Sequence, residues 1–373
     1  MNTCIYSKEK FGNASSEHIL QNFLGARWTS NTIATNAVQE KFGKTIDVAL
    51  EQGLQSIRNL FGTKGGRGAI GPSLKNIESS QGGKYHVEPG GKPKLAEPFI
   101  KSTPLESGGH EVQVKLGSMN QLEWAIAKIK QQFPDATIDF EKIKENLVTE
   151  KAYLDEKIIY KLGIGGKDYF RGLLKSIFNL LGVMNTPLAL SPEFDDLRKF
   201  ILEGDAEPSK YIRWLNTDEQ INIPRLSDFD HFIAVFTKNK CVEGIAQFYG
   251  DIPHLIRLSD GYKGVDFSYS YLVNPFRSTK PAEIRNPPNF EKDLLPGFDN
   301  HAEIPNEDVW GPYKTRFSRI LKRYYDKADK ERIGEIVDEV LIPRTGELFT
   351  PELIDELTKE IMKYITHRIM PKK

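Results

Sequence analysis

The chain has 373 residues, 39% of them apolar and 27% charged, with a formal net charge of zero. That composition is ordinary for a globular protein of about two or three domains, and it excludes a surface that is basic all over. No apolar run is long enough to span a bilayer, and the start of the chain lacks the charged-then-apolar pattern of a secretion signal. With only Cys4 and Cys241, a disulfide framework is not expected, so a cytoplasmic location with no membrane partner is the expectation.

The first informative stretch is Ser15-Ser16-Glu17-His18-Ile19-Leu20. It is followed by a segment whose apolar residues Val38, Phe42, Ile46, Ala49, Leu50, Leu54, Ile57, Leu60 and Phe61 recur at steps of three and four. That period predicts an amphipathic helix, with Gly62 at its stop. Gln39 lies at the edge of the polar face, close to the helix start. Adjacent residues of an extended segment point to opposite sides, so Glu17 and His18 need a bend or bulge to reach one ion and one water. A carboxylate beside a histidine, followed by such a helix, suits a site in which a cation neutralises phosphate charge and a base activates water.

On these residues the stretch resembles the HNH endonucleases, in the branch with zinc knuckles. Ser15 to Ile19 matches the Ser-x-Glu-His-Ile pattern, and Gly43 and Asp47 match a following Gly-x-x-x-Asp. The resemblance implies an N-terminal ββα-metal module over residues 1–62. It makes His18 the general base, Glu17, Gln39 and Asp47 the holders of Mg²⁺ or Mn²⁺, and Gln39 a catalytic position where the family has asparagine. The knuckle positions fall on Cys4, Ser7, Thr35 and Val38. A closed zinc site takes four Cys or His ligands, so structural zinc is not expected and apolar packing must hold the module.

Residues 63–100 are rich in glycine and basic side chains and read as a mobile connector bearing a hairpin, with Lys84-Tyr85-His86-Val87 as a short strand. Lys41, Lys44, Lys64 and Arg67 are the candidate contacts to a DNA backbone. Residues 101–300 read as an α+β body. His110 to Leu116 alternates as a strand does, Leu122 to Phe133 is a helix ended near Pro134, and Tyr169 to Leu181 and Phe194 to Leu202 are further helices. Gly163 to Asp168 looks like a phosphate loop but lacks the Ser or Thr after the lysine, so it is read as a turn and cap. Phe232 to Phe236 and Val242 to Tyr249 form a hairpin that Leu255 to Leu258 and Tyr269 to Val273 extend into an antiparallel sheet. Asp228-Phe229-Asp230-His231, at its entrance, reads as a turn. Residues 301–373 form a helical, charged tail, in which Lys314, Arg316, Arg319, Lys322, Arg323 and Lys327 are a second candidate phosphate contact, with Arg316, Arg319 and Arg323 on one face.

The fold class expected is thus α+β: an HNH-like module, a mixed body with an antiparallel sheet, and a helical C-terminal tail. The function expected is metal-dependent hydrolysis of DNA phosphodiester bonds, in restriction or anti-phage defence. Double-stranded DNA and a second copy of the chain are the partners this admits. The alternative is a catalytically weakened nucleic-acid-binding or regulatory protein that retains the HNH scaffold.

Overall fold

The structure, a computed structural model, describes residues 1–106, 110–135, 143, 147–148, 154 and 156–369. It is mixed α+β, with an antiparallel sheet and a C-terminal helix. Two compact units form, each assembled from three segments: Met1–Gln55, Thr63–Gly71 and Leu162–Glu347 in the first; Ser56–Gly62, Pro72–Lys161 and Leu348–Lys373 in the second. The divisions at 62, 100 and 300 drawn from composition follow consecutive segments instead.

The first unit is built on a six-stranded sheet. In spatial order its strands are Ile212–Arg213, Ile252–Ser259, Cys241–Phe248, His231–Lys238, Ser268–Val273 and Glu283–Arg285, every pair antiparallel. The central hairpin closes at Asn239 and Lys240, both at positive φ, the backbone that matches the twist of a tight two-residue turn. At its entrance the Asp230 carboxylate accepts from the amides of Leu226 and Ser227, so this aspartate terminates a turn, as its place before a strand suggested.

The helix Lys167–Met184 packs on this sheet and is buried on nearly all sides. Small residues set its close approaches. A Cβ on Gly172 would lie 2.5 Å from the Ile46 carbonyl oxygen, and one on Gly182 would lie 2.5 Å from the Ile5 side chain. The helix therefore contacts both the sheet and the N-terminal residues. Tyr6 joins them further, with its ring edge-on to Phe42 at 4.8 Å and to Phe178 at 5.6 Å.

The long helix Glu307–Leu341 is fastened to the end of the sheet by one carboxylate. Asp251 receives Arg316 at 2.7 Å, Arg319 at 2.8 Å and Arg323 at 3.5 Å. Arg316 is fully buried and also donates to the carbonyls of Thr217 and Glu219. The arginine face expected to meet phosphates is, for Arg316, an internal anchor.

In the second unit, Leu74–Glu78, Lys84–Glu88 and Lys92–Leu95 form a three-stranded sheet. Its small core is Leu74, Tyr85 and Val87, covered by Ile77, Leu95, Ile158 and Tyr160. Phe99–Pro104 pairs with His110–Lys115, and the helix Leu122–Gln132 ends two residues before Pro134.

Candidate functional site

After a first short pairing of Asn2–Thr3 with Lys10–Phe11, the residues around Glu17 run strand, strand, helix, with the 3-10 turn Asn22–Leu24 between the two strands. Glu17–His18 pairs antiparallel with Thr29–Ser30 in plain register, His18 opposite Thr29 and Glu17 opposite Ser30. The helix Asn36–Lys44 follows, and a second helix, Ile46–Phe61, comes after a break at Thr45. The single helix expected from Val38 to Phe61 is thus two. Thr45 leaves helical geometry at φ −129° and ψ −88°, while its hydroxyl donates back to the Lys41 carbonyl. That side-chain bond competes with the helix ladder.

The four knuckle positions are satisfied without a metal. Cys4 is buried and its sulfur accepts from the Ser7 amide at 3.5 Å. The Thr35 hydroxyl caps the helix start by accepting from the Val38 amide, and Val38 packs in the core. One thiol, two hydroxyls and an isopropyl group do not fit zinc.

Glu17 and Asp47, read from sequence as ligands of one ion, do converge. What they converge on is Lys175, in the middle of the buried helix. Its Nζ lies 2.6 Å from Glu17 Oε1 and 2.7 Å and 2.8 Å from the two oxygens of Asp47. The same ammonium stands 5.3 Å from the Phe42 ring centre. Amides hold the carboxylates from behind. Asn179 donates to Glu17 Oε1 at 3.3 Å and to the His18 carbonyl at 2.9 Å, while its own oxygen accepts from the Tyr6 hydroxyl. Gln21 donates to Asp47 at 3.1 Å and to the Gly172 carbonyl, and it accepts from the Ser176 hydroxyl.

The charges of this cluster depend on each other. Burial pushes the Glu17 carboxyl up, against the pull of Lys175. Burial alone would lower the Lys175 ammonium, but Asp47 and Glu17 outweigh it and hold it charged. A buried charge needs such partners. A divalent ion coordinated by Glu17 and Asp47 would have to stand where this ammonium stands. With Lys175 present, the residues do not fit Mg²⁺ or Mn²⁺.

The other expected site residues lie around this cluster rather than in it. His18 is half-buried, and burial, with Arg67 and Lys175 acting in the same direction, pushes its imidazole down to about 4. It is neutral at physiological pH. Gln39 spends its amide locally: its nitrogen donates to the carbonyls of Ser15 at 2.8 Å and Ala34 at 3.2 Å, and its oxygen accepts from the Ser15 hydroxyl. Lys41, Lys44, Lys64 and Arg67 are exposed, and Lys44 pairs with Glu40 at 2.5 Å.

The glycine-rich segment that carries Lys64 and Arg67 is docked, although its composition suggested a mobile connector. Lys64 bridges to Ile70, and the Gly66 amide donates to the Asn22 carbonyl at 2.8 Å. The Gly66 carbonyl accepts from Arg27 at 2.6 Å. A Cβ on Gly66 would sit 2.0 Å from the Ala26 carbonyl oxygen, so only glycine fits this approach.

Lys175, Asn179, Gln21 and Tyr6 were missed from sequence. One signal was present: Lys175, Ser176 and Asn179 fall at helical spacing on one face, within the part of the helix from Gly172 to Met184 that is otherwise apolar or glycine. A lysine there calls for a buried acidic partner. Among the described residues no helix is long and apolar enough to cross a membrane, and no group of three or more His, Cys, Asp or Glu side chains is arranged to hold a metal ion.

No family model matches the chain, and searches of curated proteins and of solved structures return no match.

Proposed function

We propose that residues 1–62 are an HNH-like ββα module, and that the protein is a nucleic-acid-binding or regulatory protein built on that scaffold. It does not hydrolyse phosphodiesters through an ion held by Glu17. One observation carries this reading: both carboxylates that would hold the ion are bonded to the Lys175 ammonium. The strand–strand–helix order around Glu17 and His18 supports the scaffold. Exposed Lys41, Lys64 and Arg67, the last on a loop docked to the same hairpin region, supply charge for a phosphate backbone.

The endonuclease reading stays as a second one because of His18. Its ring is neutral and half-open, so it can accept a proton, but the burial that lowers it to about 4 makes it a weak base. That reading needs Lys175 to leave the carboxylates, or the ion to be held by other groups.

Duplex-DNA binding at several salt concentrations, run beside a plasmid-nicking assay with Mg²⁺ or Mn²⁺, separates the two. The wild type should bind with an affinity that falls as salt rises. Lys64→Ala/Arg67→Ala should weaken binding and reduce the log–log salt slope by about 2, one for each lost phosphate contact. Neither the wild type nor His18→Ala should nick. Nicking by the wild type that His18→Ala abolishes would establish the endonuclease instead. Absence of DNA binding would end the endonuclease reading and the DNA-binding form of the first, leaving only a regulatory role.

A further inference from the structure

We propose that Lys175 is the resident cation of an oxygen cradle formed by Glu17 and Asp47. It is an amine built into the chain at the position of a divalent ion, and shortening it makes the cradle a divalent-cation site. The inference takes its choice of ion from the HNH-like reading above. Its geometry stands apart from that reading.

Three observations lead here. First, the ammonium is enclosed by acidic oxygens at 2.6, 2.7 and 2.8 Å and is only 2% exposed, so it serves these carboxylates and not solvent. Second, the carboxylates are oriented by groups other than the lysine. Asn179 fixes Glu17 and is itself fixed by Tyr6 and the His18 carbonyl, while Gln21 fixes Asp47 and is itself fixed by Ser176 and the Gly172 carbonyl. Such outer partners keep ligating oxygens aimed when the bound cation changes. Third, the cradle carries two negative charges against one ammonium, and a divalent ion would neutralise both. Hard carboxylate oxygens select Mg²⁺, Mn²⁺ or Ca²⁺.

The test uses the full-length chain and needs no DNA. Mn²⁺ binding is read from the loss of the free-ion EPR signal, and thermal unfolding is followed with and without Mn²⁺. Four proteins are compared: wild type, Lys175→Ala, Lys175→Met, whose uncharged stem still fills the space, and Glu17→Gln/Lys175→Ala. Lys175→Ala should bind one Mn²⁺, and its Tm, lowered against wild type, should climb as Mn²⁺ is added. The other three should bind none, and their Tm values should not move. The proposal is overturned if Lys175→Ala binds no more Mn²⁺ than wild type. It is equally overturned if that variant is unfolded and Mn²⁺ does not refold it, or if the double variant binds as well as the single one. Any of these results leaves the DNA-binding reading standing, and loss of that reading leaves the cation test intact.

Discussion

Lys175→Met should destabilise the protein by about 3–5 kcal/mol, the usual cost of removing one partner of a buried ion pair. Methionine fills the stem volume, so the loss is electrostatic: Glu17 and Asp47 are left facing each other without their shared cation. Against a typical total stability of about 5–15 kcal/mol, this takes the protein close to unfolding. The pH dependence gives the loss its signature. Burial already raises the Glu17 carboxyl, and the variant lacks the lysine that pulled it down. An acid with a raised folded pKa contributes its stability below its unfolded value and loses it as pH rises through the folded one. The deficit of the variant should therefore be smallest below about 4.5, the ordinary glutamate value, and grow toward neutrality. Lys175 is raised in the wild type, so its contribution is complete below the ordinary lysine value of 10.5 and is lost only as pH climbs through the folded value. Urea unfolding at several pH values reads both effects. A deficit under about 1 kcal/mol, or one flat with pH, would reduce the cluster to the level of a surface pair.

Asp251→Ala should cost a similar amount, about 3–5 kcal/mol, and for a related reason. The aspartate is 1% exposed and Arg316 is 0% exposed, so the substitution strands a guanidinium in the interior with Arg319 and Arg323 close by. The Thr217 and Glu219 carbonyls still accept from Arg316 but bring no formal charge. Asp251→Asn keeps the shape and should lose less than alanine, although it too forfeits the charge. If Asp251→Ala unfolds in urea within about 1 kcal/mol of wild type, the long helix is held by its apolar contacts, including Val309, Tyr313 and Ile320, and the arginines are incidental.

Local pattern made much of this fold legible. The apolar spacing of Tyr169 to Leu181 marked the buried helix, and the two runs around Asn239-Lys240 marked the central hairpin of the antiparallel sheet. These are short-range signals, and each element is dictated by its own residues. The break at Thr45 was not legible because the apolar stripe runs through it unbroken from Phe42 to Ile46, although Gly43 stands two residues before it. The arginine face at 316, 319 and 323 was legible as a face, but the same spacing suits a solvated stripe and a buried anchor. Only Asp251, on a turn far away in sequence, decides between them. For the candidate site, the motif register brought Glu17 and Asp47 to one point. The group between them comes from a helix late in the chain, and no local pattern states which distant element will pack there. Gln39 shows the same limit: its position near the helix start could be read, but the bonds its amide makes to Ser15 and Ala34 could not.

Anomalous scattering from crystals of the wild-type protein soaked in Mn²⁺ tests most directly whether an amine or a metal neutralises Glu17 and Asp47. The expected map has the Lys175 Nζ between the two carboxylates and no manganese peak beside them. A manganese peak at bonding distance from Glu17, with Lys175 swung away, would contradict this and restore metal-dependent chemistry to the site.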